Sequence, residues 1–419
     1  MRIVDRLRWP RSAGQAKGHA IVLAVILWLI AAVVGFTGTG HRSIAGPLKG
    51  ADFVHFYTLG HLASTRQIET MYDPARLYRT QVDLVPASAG EIYPPVYPPQ
   101  AAVIFSPIAR LSYQQALLIW NLLTIAGYVL IVWSTWKAVA QLLPDRTLVF
   151  AAAAAFPPFW SLVLHGQVTV IVLAAFWAGW RALERRQRWL AGAAFGLLAV
   201  KPQFGIALAV VVLAGGQWSM LAGALASVTA QAAAIWLFLG SDVFTAYADS
   251  VPMILTHADQ LIAKPFTSHS LRALTRLAPN WIGLPIWILS SAAVLWYTAR
   301  VWKSHSPVRV RLGVVVLASI LVNPHVIVYD LTVLALPLLW IGSYMQALAD
   351  GETTRRYWMA VYWLFALTFI PTAAAIGLQA SVLVMVGVFA MAIRAALDHV
   401  DATGPLETKA PPIAARATA

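Results

Sequence analysis

Asp52 is the first residue whose type and position could serve chemistry. It follows the first apolar segment, which ends near Phe36, and it begins the run AspPheValHisPheTyr. A carboxylate held at a membrane surface could act as a general base. Asp is also a favoured N-cap, and the residues after it could start a helix. Taken alone, the type and position of Asp52 favour the N-cap interpretation.

Lys201 is the second such residue, at the end of the apolar run LeuLeuAlaValLysProGln. A Lys at a helix end often extends toward water and has no other role. Lys201 is, however, the only basic residue in the short turns predicted on the outer side. At the edge of a cavity its ammonium could bind a lipid phosphate, and this interpretation is favoured.

A third group lies in the sequence AsnProHis, where His325 precedes Tyr329 and Asp330. An ionisable residue within a membrane span indicates a functional site by default. Asp330 could orient His325 or cap the start of the next helix. A purely structural polar cluster between helices is an equally open interpretation.

Two further stretches offer weaker candidates. His165 and Gln167 flank a glycine that permits a tight turn, and the Gln amide could bind a sugar hydroxyl. Tyr93 and Tyr97 stand beside two ProPro pairs and could form a rigid aromatic ledge. Aromatic residues at this depth often belong only to the interfacial belt of a membrane protein.

Metal, cofactor and nucleic-acid chemistry have little support. His55 and His61 are not spaced as zinc ligands, and no acidic pair accompanies them. The chain has no Walker A, GxGxxG or GxSxG motif, so neither a metal nor a cofactor is expected. Its net charge of +13 comes from basic residues at loop ends, which indicates membrane topology and not nucleic-acid binding.

The composition indicates which elements must position these residues. Of the 419 residues, 59% are hydrophobic and 11% are charged, whereas soluble domains average about 25% charged residues. A soluble enzyme is therefore nearly excluded. The absence of Cys excludes a disulfide framework and a catalytic thiol.

Twelve apolar segments predict an all-α polytopic membrane protein with about 12 transmembrane helices. Most Lys and Arg residues fall in alternate loops, which places both termini and those loops in the cytoplasm. The predicted spans are 19–36, 113–137, 147–163, 166–181, 189–201, 203–215, 218–239, 281–301, 311–323, 327–345, 357–371 and 376–395.

One transmembrane domain is predicted over residues 1–400, with two long outer loops at 37–112 and 240–280. The first loop is expected to contain interfacial helices. Residues 95–111 would form one of them, because counting them as a crossing would reverse every later loop. The remaining segment, 401–419, is expected to be a disordered cytoplasmic tail.

Several short motifs, in this order, resemble glycosyltransferase family 87 of the GT-C superfamily of polytopic membrane enzymes. The resemblance covers roughly residues 15 to 395. The motifs are AlaAspPheValHisPheTyr at 51–57, TyrAspPro at 72–74, TyrProPro at 93–95, HisGlyGlnValThrValIleValLeu at 165–173, GlyLeuLeuAlaValLysProGln at 196–203, and AsnProHis with TyrAsp at 323–330. Residues 240–280 show no alignable motif.

The resemblance implies an inverting hexosyltransferase that uses a polyprenyl-phosphate sugar donor, often mannose, and a lipid or glycan acceptor outside the cytoplasmic membrane. It implies that Asp52 is the base. Lys201 and His325 are then expected at the donor phosphate. The sugar or acceptor would contact a further set of side chains: His55, Tyr93, Tyr97, His165, Gln167, Gln203 and Asp330.

Two other classes of function remain open. A transporter or flippase of a lipid-linked sugar would share many spans and broken helices, but the two halves of this chain show no matching interruptions. A structural membrane subunit would leave the clustering of Asp52, Lys201 and His325 on the outer side unexplained.

Overall fold

The computed structural model describes residues 13–256, 267–348, 350–370 and 372–402, and this part of the chain is helical, without a β-strand. The predicted tail at 401–419 lies outside these residues, apart from two residues that continue the last helix. The α-helices are α1 Ala13–Phe36, α2 Phe53–Ser64, α3 Ile68–Met71, α4 Pro74–Leu84, α5 Gln100–Phe105, α6 Tyr113–Val139, α7 Arg146–Ala154, α8 Pro157–His165, α9 Thr169–Glu184, α10 Arg188–Gly196, α11 Ile206–Ala214, α12 Trp218–Leu239, α13 Asp242–Thr256, α14 Leu271–Thr275, α15 Asn280–Lys303, α16 Val308–Leu321, α17 Ala335–Ala347, α18 Gly351–Phe369, α19 Thr372–Ile376 and α20 Ala380–Ala402.

Six helices of the described chain are long and apolar enough to cross a membrane, or seven if the bent pair α7 and α8 forms one span. The protein is therefore a multi-pass membrane protein by length and composition. The predicted count of twelve is not confirmed. The other predicted segments coincide with shorter helices, such as α11, whose 9 residues cover only about 14 Å of a core roughly 30 Å thick.

Two spans are interrupted by 3₁₀ segments in the protein interior. Leu197–Val200 and Pro202–Gly205 separate α10 from α11, and Val328–Leu334 precedes α17. Pro202 has no N–H to donate, so the helix cannot continue regularly past Lys201. Irregular backbone at membrane depth is tolerated where protein buries it or where it lines a cavity. These breaks carry Lys201 and Asp330 into the interior.

The first long loop, residues 37–112, folds into short helices packed on α2. The prediction of a single interfacial helix over 95–111 is wrong, because the chain there forms the 6-residue α5 and a 3₁₀ turn at Ile108–Arg110. The rings of Phe56 and Phe105 stack with their centroids 5.0 Å apart. A Cβ on Gly60 would lie 2.7 Å from the backbone of Phe105, so the glycine permits this close approach.

The described part of the second long loop, predicted over residues 240–280, reaches the interior of the protein. After α13, and beyond the undescribed residues, the backbone N–H of His269 donates to the Val326 carbonyl at 2.8 Å. The loop is thereby joined to the turn that contains His325. The His269 ring is buried in contact with Gln379 and Ser381, which precede and begin α20.

Helix α1 stands largely apart from this core. Leu27 is its one buried residue among those described. Two indole hydrogen bonds link it to the neighbouring helices, from Trp28 to the Ala154 carbonyl and from Trp160 to the Leu27 carbonyl. A cavity of about 1520 Å³, which we call the lateral groove, separates α1 from α18 and is lined by apolar residues such as Leu23, Ile26 and Phe365.

Candidate active site

Asp52 immediately precedes α2, but its side chain forms no hydrogen bond that caps the helix. The carboxylate Oδ2 instead accepts a hydrogen bond from Gln167 Nε2 at 2.6 Å. Asp73, at the start of α4, shows the contrasting arrangement, since its carboxylate accepts from the backbone N–H groups of Ala75 and Arg76. The N-cap interpretation of Asp52 is therefore wrong. Asp52 is half-buried and reaches the rim of the site.

Gly166 brings Gln167 to Asp52. It ends α8 in the left-handed region, with φ of 66°, where glycine carries no steric cost. A Cβ at Gly166 would lie 2.6 Å from the Cβ of Phe53. The glycine therefore lets the end of α8 touch the start of α2, and the next side chain along the chain meets the carboxylate.

Lys201 lies within the protein and does not extend to the surface. Its side chain is only 4% exposed, and its Nζ lies 2.7 Å from Asp330 Oδ1. Thr169 completes this cluster: its hydroxyl accepts from Lys201 at 3.1 Å and donates to the same Asp330 oxygen at 2.7 Å. A buried charge is costly unless it is paired and hydrogen-bonded, and this cluster satisfies both conditions.

The aromatic rings of Tyr97 and Tyr329 connect the two halves of the site. Both hydroxyls contact the Gln167 amide, each at 3.1 Å. The ammonium of Lys201 lies 5.8 Å from the Tyr97 ring centroid and 5.3 Å from that of Tyr329. Asp52, Gln167 and the Lys201–Asp330 pair therefore belong to one connected cluster of polar groups.

His325 lies at the edge of this cluster and is not oriented by Asp330. Asp330 Oδ2 accepts instead from the backbone N–H of Ile327 at 3.3 Å, which is the alternative capping role. The Nδ1 of His325 has no hydrogen-bond partner among the described residues. Burial lowers the pKa of the half-buried His325 ring because it disfavours the charged form, and the nearby carboxylate of Asp330 partly offsets this effect.

His55 is placed behind the aromatic ledge and not at its surface. Its side chain is 2% exposed, and its ring centroid lies 5.8 Å from those of both Tyr93 and Tyr97. Burial lowers the pKa of His55 to about 4. The Tyr93 hydroxyl donates to the Ala51 carbonyl, so the ledge is joined to the backbone beside Asp52.

The remaining predicted residues differ in their involvement. The His165 ring lies 5.5 Å from that of Tyr329, and its Nδ1 is 2.8 Å from the Ser161 carbonyl. Gln203 is half-buried and forms no side-chain hydrogen bond to the cluster within the described chain. Thr169 was not expected as a site residue, although it lies two positions after Gln167 in the same motif.

The model of glycosyltransferase family 87 matches residues 96–324, more than half of the chain. The match includes Gln167 and Lys201, whereas Asp52 and Asp330 lie outside it. No curated protein and no solved structure matches the chain. From the extent of the family match, the chain belongs to glycosyltransferase family 87.

Proposed function

We propose that the protein is an inverting hexosyltransferase that moves mannose from a polyprenyl-phosphate donor to a lipid or glycan acceptor. Membership of family 87 supports a membrane glycosyltransferase in general. The donor, the sugar and the class of acceptor are our proposal, and they follow from the motif resemblance. The proposed reaction takes place at the outer face of the cytoplasmic membrane.

In the proposed reaction Asp52 is the general base. Its carboxylate takes the proton of the acceptor hydroxyl while that oxygen attacks the anomeric carbon of the donor sugar. The bond from this carbon to the phosphate oxygen breaks on the opposite face, so the configuration inverts and polyprenyl phosphate leaves. Since the phosphate is already a good leaving group, one carboxylate suffices where hydrolytic glycosidases use two.

The observation that carries this proposal is the unused capping position of Asp52. A carboxylate at the start of a helix would ordinarily bind the backbone N–H groups there. Asp52 forms no such bond, is held by the side-chain amide of Gln167 from the turn between α8 and α9, and remains half-buried. This arrangement leaves the carboxylate able to meet a hydroxyl.

The donor phosphate is assigned to His325 and Lys201. His325 is half-buried, and its Nδ1 is a buried atom without a hydrogen-bond partner among the described residues, so a phosphate oxygen that entered beside it would supply the missing partner. Lys201 is paired with Asp330, so it would favour the phosphate as a nearby positive charge. Direct contact by Lys201 would require Asp330 to yield one of its hydrogen bonds. Tyr93, Tyr97, His165 and Gln203 remain the proposed contacts of the sugar and acceptor.

Asp52→Asn tests the proposal in purified protein with polyprenyl-phosphate sugars and a lipid extract as the acceptor source. The variant keeps the shape of the side chain and should melt like the wild type. Transfer should fall about 10²- to 10⁴-fold because the base is lost. Asp73→Asn is the control: Asn caps about as well as Asp, so this variant should keep its activity.

Wild-type transfer by a folded Asp52→Asn protein would contradict the assignment of the base. If the wild-type protein forms no glycosylated product but moves a lipid-linked sugar across a vesicle bilayer, the enzyme proposal itself fails and the flippase alternative is correct.

A further inference from the structure

The orientation of the Gln167 side-chain amide follows from its neighbours. The backbone N–H of Val168 can only donate, and it lies 3.2 Å from Gln167 Oε1. The Tyr97 hydroxyl donates to the same oxygen at 3.1 Å. Because two hydrogen-bond donors contact this end of the side-chain amide, this end is the oxygen. Nε2 must therefore face Asp52.

The amide is also held in place from behind. Gln167 is only 3% exposed, and its backbone carbonyl accepts from the indole of Trp120 at 3.3 Å. Its Nε2 is directed at Asp52 Oδ2 at 2.6 Å and at the Tyr329 hydroxyl at 3.1 Å. Both amide hydrogens of Gln167 thus have protein acceptors, whereas Asp52 beside it still reaches the rim.

We infer that Gln167 is a positioning residue that fixes and stabilises the ionised carboxylate of Asp52, and not a ligand of the sugar. This inference rests on the proposed function, in which Asp52 is the base. The amide donates a charge-assisted hydrogen bond, which is about twice as strong as a neutral one. It selects one direction for the carboxylate that acts as the base.

Other charged and titratable groups also face this carboxylate, and the test must separate their effects from that of the amide. They come from three parts of the chain, and each interacts electrostatically with Asp52: Tyr93, Tyr97, Tyr113, His325 and Tyr329. The Lys201–Asp330 pair lies behind the two tyrosines that bind Gln167. A substitution at Gln167 keeps all of these groups in the chain and changes directly the hydrogen bonds of only two of them, Tyr97 and Tyr329.

Gln167→Glu is the most direct test because it keeps the size and both acceptor contacts of Oε1. It replaces the donor that faces Asp52 with a second carboxylate oxygen. Two carboxylates at this distance favour sharing one proton. The acid limb of the kcat/KM profile should then move to higher pH by roughly one unit or more. At neutral pH kcat should fall roughly 10- to 150-fold, whereas the acceptor KM should change little.

Tyr97→Phe provides a second variant with smaller disruption. It removes one of the two donors that hold Oε1 and keeps the aromatic ring in place, so it should shift the acid limb in the same direction by less. Gln217→Glu is the matched control. Gln217 lies at the opposite end of α11 from Lys201 and donates to the Gly215 carbonyl, and its replacement should leave the pH profile unchanged.

Carbodiimide labelling measures the same effect without turnover. A hydrophobic carbodiimide reacts with protonated carboxyl groups, and peptide mass spectrometry quantifies modification at Asp52. In Gln167→Glu the modification of the Asp52 peptide should persist to higher pH than in the wild type.

An unchanged acid limb together with a raised acceptor KM would overturn the inference and assign Gln167 to the sugar. Unaltered labelling in a folded Gln167→Glu protein would overturn it as well. Failure of the proposed function has a separate signature, namely full activity of Asp52→Asn. The two failures can therefore be distinguished.

Discussion

At the scale of single residues, the ion pair of Lys201 and Asp330 changes what a substitution at Lys201 can reveal. A Lys at a helix end is expected to contribute little to packing, so its loss would report mainly on ligand binding. Here the ammonium and the carboxylate are 2.7 Å apart and almost fully buried. Removing either partner leaves an uncompensated charge in the protein interior.

Lys201→Met and Asp330→Asn should each destabilise the protein by about 3–5 kcal/mol, because each leaves a buried charge without its partner. The double variant should recover much of that loss, because no ion remains to be desolvated. Thermal unfolding of the four proteins in one detergent measures this coupling. Losses that simply add in the double variant would show that the pair does not act as a unit. Donor affinity of the double variant then reports the contribution of Lys201 to phosphate binding.

His55 should make the folded protein sensitive to acid. Burial lowers its pKa to about 4, whereas an unfolded His titrates near 6.5. Stability from the neutral ring is complete above about pH 6.5. It is lost as the pH falls toward 4, by up to about 3 kcal/mol, because only the unfolded chain takes up the proton.

The measurement is the melting temperature between pH 7 and pH 4 for the wild type and for His55→Phe. The variant keeps an aromatic ring beside Tyr93 and should lose less stability over this range. Some acid sensitivity should remain, since burial also lowers the pKa of His269 to about 3. Identical pH dependence in the two proteins would contradict the role assigned to His55.

The residue types at the site could be predicted from the sequence, but their pairings could not. Lys201 was identifiable because an ionisable residue at the end of an apolar run indicates a function, whereas Asp52 and Gln167 were identified through the motifs that resemble family 87. Lys201 and Asp330 are 129 positions apart, and nothing local in either motif indicates the other. The cap interpretation of Asp52 failed for the same reason, since its actual partner is 115 positions away.

At the scale of elements, one glycine sets the contact between α8 and α2. Gly166→Ala should cost about 1–2 kcal/mol for the left-handed backbone alone. The clash with Phe53 should also displace Gln167 from Asp52, so transfer should fall more than stability does. Gly205→Ala is the control, because Gly205 has ordinary helical backbone angles and open space around its Cα.

Melting temperature and transfer rate, measured on both glycine variants, separate the two effects. If Gly166→Ala keeps wild-type activity and stability, the close approach of α8 and α2 is not required. A comparable loss in Gly205→Ala would show that the assay is responding to any added methyl group in this region.

The apolar runs in the sequence predicted the positions of the helices better than they predicted the lengths of the helices. Each predicted span coincides with a helix or with a pair of helices separated by a break, because helices that contact lipid or the protein core are rich in apolar residues. Whether a helix is interrupted, as it is at Lys201–Pro202, depends on the packing of the protein interior around the break. The loop at 95–111 was mispredicted because its apolar residues pack on α2, a partner that the local pattern does not reveal.

At the scale of the whole molecule, the proposed topology can be tested by labelling, because the native chain contains no Cys. Ala89→Cys and Arg185→Cys both place a thiol at an exposed position. An impermeant maleimide should label Ala89→Cys on intact cells and should label Arg185→Cys only after the membrane is opened. The reverse pattern would invert the orientation, and labelling of both on intact cells would reject the span count between them.

Helix α1 makes the molecule responsive to the thickness of its membrane. Its apolar part, from Ala20 to Phe36, extends about 26 Å, which is shorter than a hydrocarbon core of roughly 30 Å. A helix with this hydrophobic mismatch accommodates by thinning the bilayer around it or by extending flanking side chains such as Lys17 toward the headgroups. The Lys17–Asp145 ion pair and the two indole hydrogen bonds join α1 to the side of the core formed by α7 and α8, whereas the lateral groove separates it from α18. The width of the lateral groove beside it is therefore expected to follow the acyl-chain length of the surrounding lipid.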